Sequence, residues 1–268
     1  SSDLLPWSEL PLEAVGGLRE SFHDWLRNHH KDRFGFIGNF SKIDLPVFHR
    51  TGGYDRLVAT TDMYNHMVNE APTEHARANQ RLFVGPYTHA NEMPRVTGDM
   101  DFGPDAEIDW VELATPWFDY WLKGEQNGVM DGDPVNVFVM GANKWRRETE
   151  WPPTRAVDTE FFLHSGGGAN TPAGDGELSL EGPGPESPDS YMYDPRDPVM
   201  SLYLPNGQDG PFDQRVNAHR RDVLVYQSAP LDRAIEVTGN PVLRLHATSD
   251  AVDTDFTVKL IDVHPDGV

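Results

Sequence analysis

The chain has 268 residues, 38% hydrophobic and 24% charged, with 43 acidic against 22 basic side chains and a formal net charge of −21. That balance excludes a phosphate-backbone site, which needs a basic footprint, and the absence of cysteine excludes disulfides, thiolate zinc sites and cysteine nucleophiles. No run approaches the roughly 18 consecutive apolar residues of a membrane-spanning helix, so neither nucleic acid nor membrane is an expected partner.

The length suits one large or two ordinary domains. Of the acidic residues 27 are aspartate, and only 5 of the bases are lysine, a bias resembling salt-adapted proteins in which surface carboxylates maintain solubility by self-repulsion. The start, "SSDLLPWSEL", lacks an initiator Met, a basic n-region and an apolar h-region. It reads as the start of a cut-out piece of a longer chain and, with no signal peptide visible, as cytoplasmic. The sequence leaves the oligomeric state open.

In chain order, Val15, Leu18, Phe22, Trp25 and Leu26 form one apolar helical face over 12–28, ended by "NHHKDRFG". "IDLPVFHRTGGYD" (43–55) predicts a strand that runs into Gly52-Gly53 and sets Tyr54 and Asp55 on the following turn. Ala59, Met63 and Met67, with Tyr64 and Val68 beside them, predict a helix over 56–69. "RLFVG" (81–85) predicts a second strand, broken at Gly85-Pro86, with His89 just beyond. Strand, helix and strand at this spacing make a crossover with parallel strands. A further helix is expected over 108–123 from Leu113, Trp117, Tyr120 and Trp121, with Gly124 as cap and Pro116 as a kink or a first turn.

From about 134 the texture changes. "PVNVFVM", "TEFFLH", "SYMYD", "DVLVYQS", "AIEVTG", "PVLRLHATSD" and "DFTVKLIDV" are short, β-rich and divided by Gly, Pro and Asp, as in an all-β sandwich or jelly roll. Residues 164–190 read as a long flexible loop without the Gly-Lys-Ser/Thr of a phosphate cradle.

Asp55 and His89 follow the carboxyl ends of adjacent parallel strands, where α/β sheets build their sites. A carboxylate on the ring Nδ1–H fixes the tautomer that lets the other nitrogen take a proton from a serine hydroxyl. Spacing alone leaves open a turn aspartate and a loop-capping histidine. "DMDFGPD" (99–105) alternates acids like a calcium loop but has Trp110 where the closing Glu belongs, so it reads as a solvated loop. Asp253 and Asp255 read as the opening of a strand, and no His pair has zinc-protease spacing. No metal or cofactor is expected.

The motifs "TGGYD", "GPYTH", "WFDYWLKG", "VFVMGANKWRRETEWPP", "YDPRDPV", "DQR" and "SDAVDTDFTVKLIDVHPDG" come in the order seen in the cocaine esterase, glutaryl-acylase and X-prolyl dipeptidyl peptidase family of serine hydrolases, which the chain resembles from about residue 43 onward. The resemblance implies an α/β plus all-β chain: the tail of a helical cap over 1–40, the late portion of an α/β-hydrolase domain over 41–133, and a jelly-roll sandwich, incomplete at its end, over 134–268. It also implies that Asp55 is the triad acid and His89 the triad base, and that Leu57, Tyr203 and Leu204 line the pocket. Gly53 stands where the family usually has tryptophan. No serine lies in G-x-S-x-G, the turn that exposes the family's nucleophile. The expectation is an internal segment, inactive alone, of an enzyme hydrolysing a small-molecule ester or amide, or a peptide. The rival reading is a non-catalytic β-sandwich module binding carbohydrate or protein, which requires an exposed aromatic platform and Asp55 far from His89.

Overall fold

The computed structural model describes Asp24 and residues 39–55, 59–90, 92–204, 208–252 and 254–265. The helix expected over 12–28 and Leu57 thus fall outside the described residues, Asp24 apart.

The first half is organised by one four-stranded sheet. Strand β1 (Val47–Gly52) is followed by helix α1 (Ala59–Glu70), the short helix α2 (Glu74–Ala78) and strand β2 (Gln80–Gly85). Strands β1 and β2 are parallel and in register from Val47 opposite Gln80 to Gly52 opposite Gly85. Both expected strands and the intervening helix therefore form. Helix α2 carried no periodic signal; it exists because Thr73 caps it, its hydroxyl oxygen accepting from the Ala76 N–H at 3.1 Å.

Period-two alternation sends successive residues to opposite faces. On one face Tyr64 of α1 packs with Leu82 and with Val135 from further along the chain. On the other, Phe83 and Tyr87 pack with Phe48, Leu113 and Trp145. Burial on both faces explains why "RLFVG" is a near-continuous apolar run.

After β2 come a small hairpin, β3 (Val96–Thr97) and β4 (Met100–Asp101), and helix α3 (Trp110–Phe118). Asp101 binds the Arg95 side chain through both carboxylate oxygens and accepts from the Gly103 N–H, so its oxygens serve the turn. Helix α3 begins at Asp109, whose side chain accepts from the Val111 and Glu112 N–H groups. The helical run reaches Lys123 as expected, but its α-helical part stops at Phe118. Pro116 lacks the N–H that would complete the ladder, and the next turn widens into a π-helical one over Asp119–Lys123, closed by left-handed Gly124 at φ 76°.

The texture change near 134 coincides with strand β5 (Val135–Val139), which pairs parallel to β2; strand β6 (Lys144–Glu148) pairs antiparallel to β5. The sheet order is β1-β2-β5-β6, so the first sheet continues across the expected boundary between 133 and 134. Beyond it, the named strands among the described residues are β7 (Phe162–His164) and β8 (Glu177–Ser179), an antiparallel pair; Arg215–Ala218 forms one helical turn, α4. "DVLVYQS" contributes the isolated bridges of Leu224 with Asn170 and Gln227 with Glu177. "AIEVTG", "PVLRLHATSD" and "DFTVKLIDV" run without strand partners among the described residues, and Val242 and Leu260 stand 80% and 65% exposed. Alternation supplies a face to bury, but a strand needs a neighbour to bury it against.

The segment expected to be a flexible loop over 164–190 is instead internally bonded. Asp175 accepts from the Gly166 and Gly168 N–H groups, and Asp189 accepts from the Ser165 and Tyr226 hydroxyls and the Ala169 N–H. Glu148, buried on β6, pairs with Arg146 and Arg155, and Arg146 reaches Glu236 through two bonds of 2.7 and 2.8 Å. This ion cluster ties the sheet to residue 236.

Candidate active site

The ladder between β1 and β2 continues past both strand ends. The Gly53 N–H donates to the Gly85 carbonyl at 2.8 Å and the Tyr54 N–H to the Tyr87 carbonyl at 3.0 Å. The turn carrying Asp55 is thereby registered against the loop carrying His89. Gly52 permits this approach, because a Cβ there would lie 2.0 Å from the Tyr87 carbonyl oxygen. The tyrosine is held from behind: its ring folds over Gly85 and its hydroxyl donates to the Ala106 carbonyl at 2.6 Å. Burial pushes the Tyr87 phenol's pKa well up, which keeps it a donor. Thr97 adds a buried bond from its hydroxyl to the Pro86 carbonyl, 2.8 Å.

The outcome is a close acid–base pair. His89 Nδ1 lies 3.2 Å from Asp55 Oδ1 and 3.3 Å from Oδ2. The Asp55 side chain is 11% exposed and that of His89 48%, so the acid is enclosed while the base faces solvent. With the carboxylate at Nδ1, the proton belongs on that nitrogen and Nε2 is left with its lone pair. Such a ring can accept a proton at Nε2 while Asp55 stabilises the imidazolium.

Leu204 lies beside this loop. It lines, with Thr88, Ala90, Thr97, Gln208 and Asp209, a cleft of about 100 Å³. Tyr203 is 52% exposed and is not part of that cleft's lining. At Gly53 a Cβ would stand 3.0 Å from Met140 Cε, so a larger side chain there would displace the flexible end of that methionine. Sequence reasoning missed the fasteners, Thr97, Tyr87 and also Arg50, whose Nη2 donates to the Ala90 carbonyl at 2.6 Å. Each has a long-range bond that leaves no periodic trace. Among the described residues no group of three or more histidine or acidic side chains is placed to hold a metal ion, and no helix is long and apolar enough to cross a membrane.

A carboxylate and an imidazole at the carboxyl ends of adjacent parallel strands are the layout of an α/β-hydrolase, and solved structures agree on the fold. An α-amino acid ester hydrolase superposes with TM-score 0.62 at 19% identity, covering 89% of this chain and 41% of its own. An aminopeptidase from a marine sediment Thaumarchaeota archaeon superposes with TM-score 0.53 at 23% identity, covering 81% and 37%. In sequence, residues 127–268 match the model of the X-Pro dipeptidyl-peptidase C-terminal non-catalytic domain. The cocaine esterase of Rhodococcus sp. (strain MB1 Bresler) is 41% identical over 235 residues, 83% of this chain. The chain belongs to the cocaine esterase and X-prolyl dipeptidyl peptidase family of serine hydrolases. It spans 41% of that esterase's length.

Proposed function

We propose that this chain carries the acid and the base of a serine hydrolase that transfers acyl groups from small-molecule esters or amides, or from peptides, to water. The observation that carries this reading is the contact between His89 Nδ1 and Asp55 at 3.2 Å. His89 Nε2 takes the proton of the serine hydroxyl as its oxygen attacks the acyl carbon, then returns it to the leaving alcohol or amine. Water, deprotonated by the same nitrogen, releases the acid and regenerates the serine. Such chemistry needs neither metal nor cofactor.

No serine of this sequence stands in G-x-S-x-G, so the nucleophile and the oxyanion donors are assigned to the part of the protein that the relatives have and this chain does not span. The alternating segments after residue 220 are assigned to a jelly roll, and the match of 127–268 to a non-catalytic domain supports a supporting role for that half. The contact between the two residues favours the enzyme over the binding module, which required them to be apart.

The test is hydrolysis of p-nitrophenyl esters by the full-length protein. Asp55→Asn should retain the fold and lower turnover on the order of 10⁴-fold, because the histidine then takes the wrong tautomer. A fluorophosphonate probe should label one serine, outside the present 268 residues. Unchanged turnover, or a labelled serine within these residues, would overturn the reading.

A further inference from the structure

We infer that Arg50 is a positioning residue for His89, an assignment that rests on the acid–base reading above. Arg50 sits on β1, two residues before the glycine that opens the Asp55 turn, and its guanidinium reaches across to the base loop. Its Nη2 donates to the Ala90 carbonyl at 2.6 Å, directly after the histidine. The Pro86 and Tyr87 carbonyls, held by the Thr97 hydroxyl and the Tyr54 N–H, fasten the loop only on the side before His89. Arg50 supplies a fastening on the other side, next to the histidine and ahead of the Met93 carbonyl, which accepts from the Ile108 N–H at 3.0 Å.

The guanidinium is itself held. Its Cζ lies 5.0 Å from the centroid of the Trp110 ring, and Trp110 packs in turn on Phe48 with ring centroids 6.2 Å apart. Trp110 is the first residue of α3, whose start is capped by Asp109. The aromatic face attracts the cation and restricts its rotamer, so the charge-assisted bond to Ala90 forms from a pre-set geometry. This matters because the His89–Asp55 contact, at 3.2 and 3.3 Å, is already at the long end for a hydrogen bond. A small drift of the loop breaks it. Arg50 therefore adds a side-chain link between the strand that carries the acid and the loop that carries the base.

Two readouts test this. In the full-length protein with ¹⁵N-labelled histidine, long-range ¹⁵N correlation spectra at alkaline pH report which ring nitrogen of His89 carries the proton. Wild type should show the Nδ1–H form. Arg50→Met should shift it toward a mixture with Nε2–H, and Arg50→Lys, which keeps charge and a donor, should restore most of the Nδ1–H signal. In the full-length enzyme, Arg50→Met should lower kcat on the order of 10- to 100-fold with KM changed less than about threefold, and Arg50→Lys should recover kcat to within about fivefold of wild type. A folded Arg50→Met protein that keeps the wild-type tautomer overturns the assignment, even if its melting temperature falls. Should Arg50→Met not fold, Trp110→Leu decides: a partial shift toward Nε2–H supports the clamp, and an unchanged tautomer overturns it. The tautomer needs no turnover, so it judges Arg50 even if Asp55→Asn proves fully active and the hydrolase reading fails.

Discussion

Gly52→Ala should be among the most damaging single-methyl additions in the sheet. A Cβ there would stand 2.0 Å from the Tyr87 carbonyl oxygen, 2.5 Å from its carbonyl carbon and 3.0 Å from its Cα. All three are backbone atoms, so no rotamer change relieves the clash. Restoring ordinary contact requires the acid turn and the base loop to separate by more than about 1 Å, and overpacking of this kind costs roughly 1–3 kcal/mol. For a chain of this size that lowers the melting temperature by about 2–4 °C per kcal/mol. The separation also acts on the site. It pulls the Tyr54 N–H from the Tyr87 carbonyl, and a His89–Asp55 distance of 3.2 Å lengthened by such a shift is no longer a hydrogen bond. Differential scanning calorimetry and the ¹⁵N tautomer spectrum of His89 read the two effects. A variant with an unchanged melting temperature and an intact Nδ1–H signal would refute the close approach of the two loops.

Three further outcomes are expected. His49 is buried against Gln80, with Nε2 2.9 Å from Oε1, and burial lowers its pKa despite that bond. Protonation therefore favours the unfolded chain: the stability is complete above the unfolded value near 6.5 and is lost as pH falls below it, with a slope of up to about 1.4 kcal/mol per pH unit. Urea titrations should show this acid limb flattened in His49→Gln, and an identical pH slope in the variant would refute the assignment. Asp189 is partly buried, which works to raise its pKa, but bonds from Ser165, Tyr226 and Ala169 outweigh this and hold its carboxyl below the usual carboxylate range. Asp189→Ala should speed hydrogen exchange at residues 166–169 while leaving β2 protected; equal rates in both proteins would show that the aspartate does not order the segment. With a net charge of −21, the melting temperature should rise as salt screens carboxylates beyond a Debye length of about 10 Å at 0.1 M, and a flat profile would count against self-repulsion.

The sheet was legible where local signals and tertiary structure agree. "PVFHRTGG" and "RLFVGP" are short stretches with β-branched or aromatic residues ended by glycine, and each became a strand whose end leads to a candidate site residue. Helix α1 follows from Met63 and Met67 at helical spacing, and both pack with the cluster around Phe40 and Ala76. The second half was legible only in part. "PVNVFVM" alternates like a sandwich strand, yet β5 adds to the first sheet, because which sheet accepts a strand depends on its neighbours and not on its own period. The glycines of "HSGGGAN" suggest freedom, but backbone N–H groups seek acceptors, and two aspartates, one 7 to 9 residues away and one 20, supply them.

The acid–base pair is best understood as a property of the β1–β2 ladder. Two parallel strands in register deliver their ends side by side, but register alone leaves the turns free to splay. Four contacts prevent that: Gly53 to Gly85, Tyr54 to Tyr87, Thr97 to Pro86 and Arg50 to Ala90. The first two are main-chain bonds that extend the ladder, and they place no demand on side-chain identity beyond a glycine at 52 to let the loops meet. The last two depend on particular side chains from a hairpin and from the middle of β1. Mutations of the first kind should therefore damage fold and site together, as is expected of Gly52→Ala. Those of the second kind should separate them, leaving the sheet intact while the imidazole loses its aim.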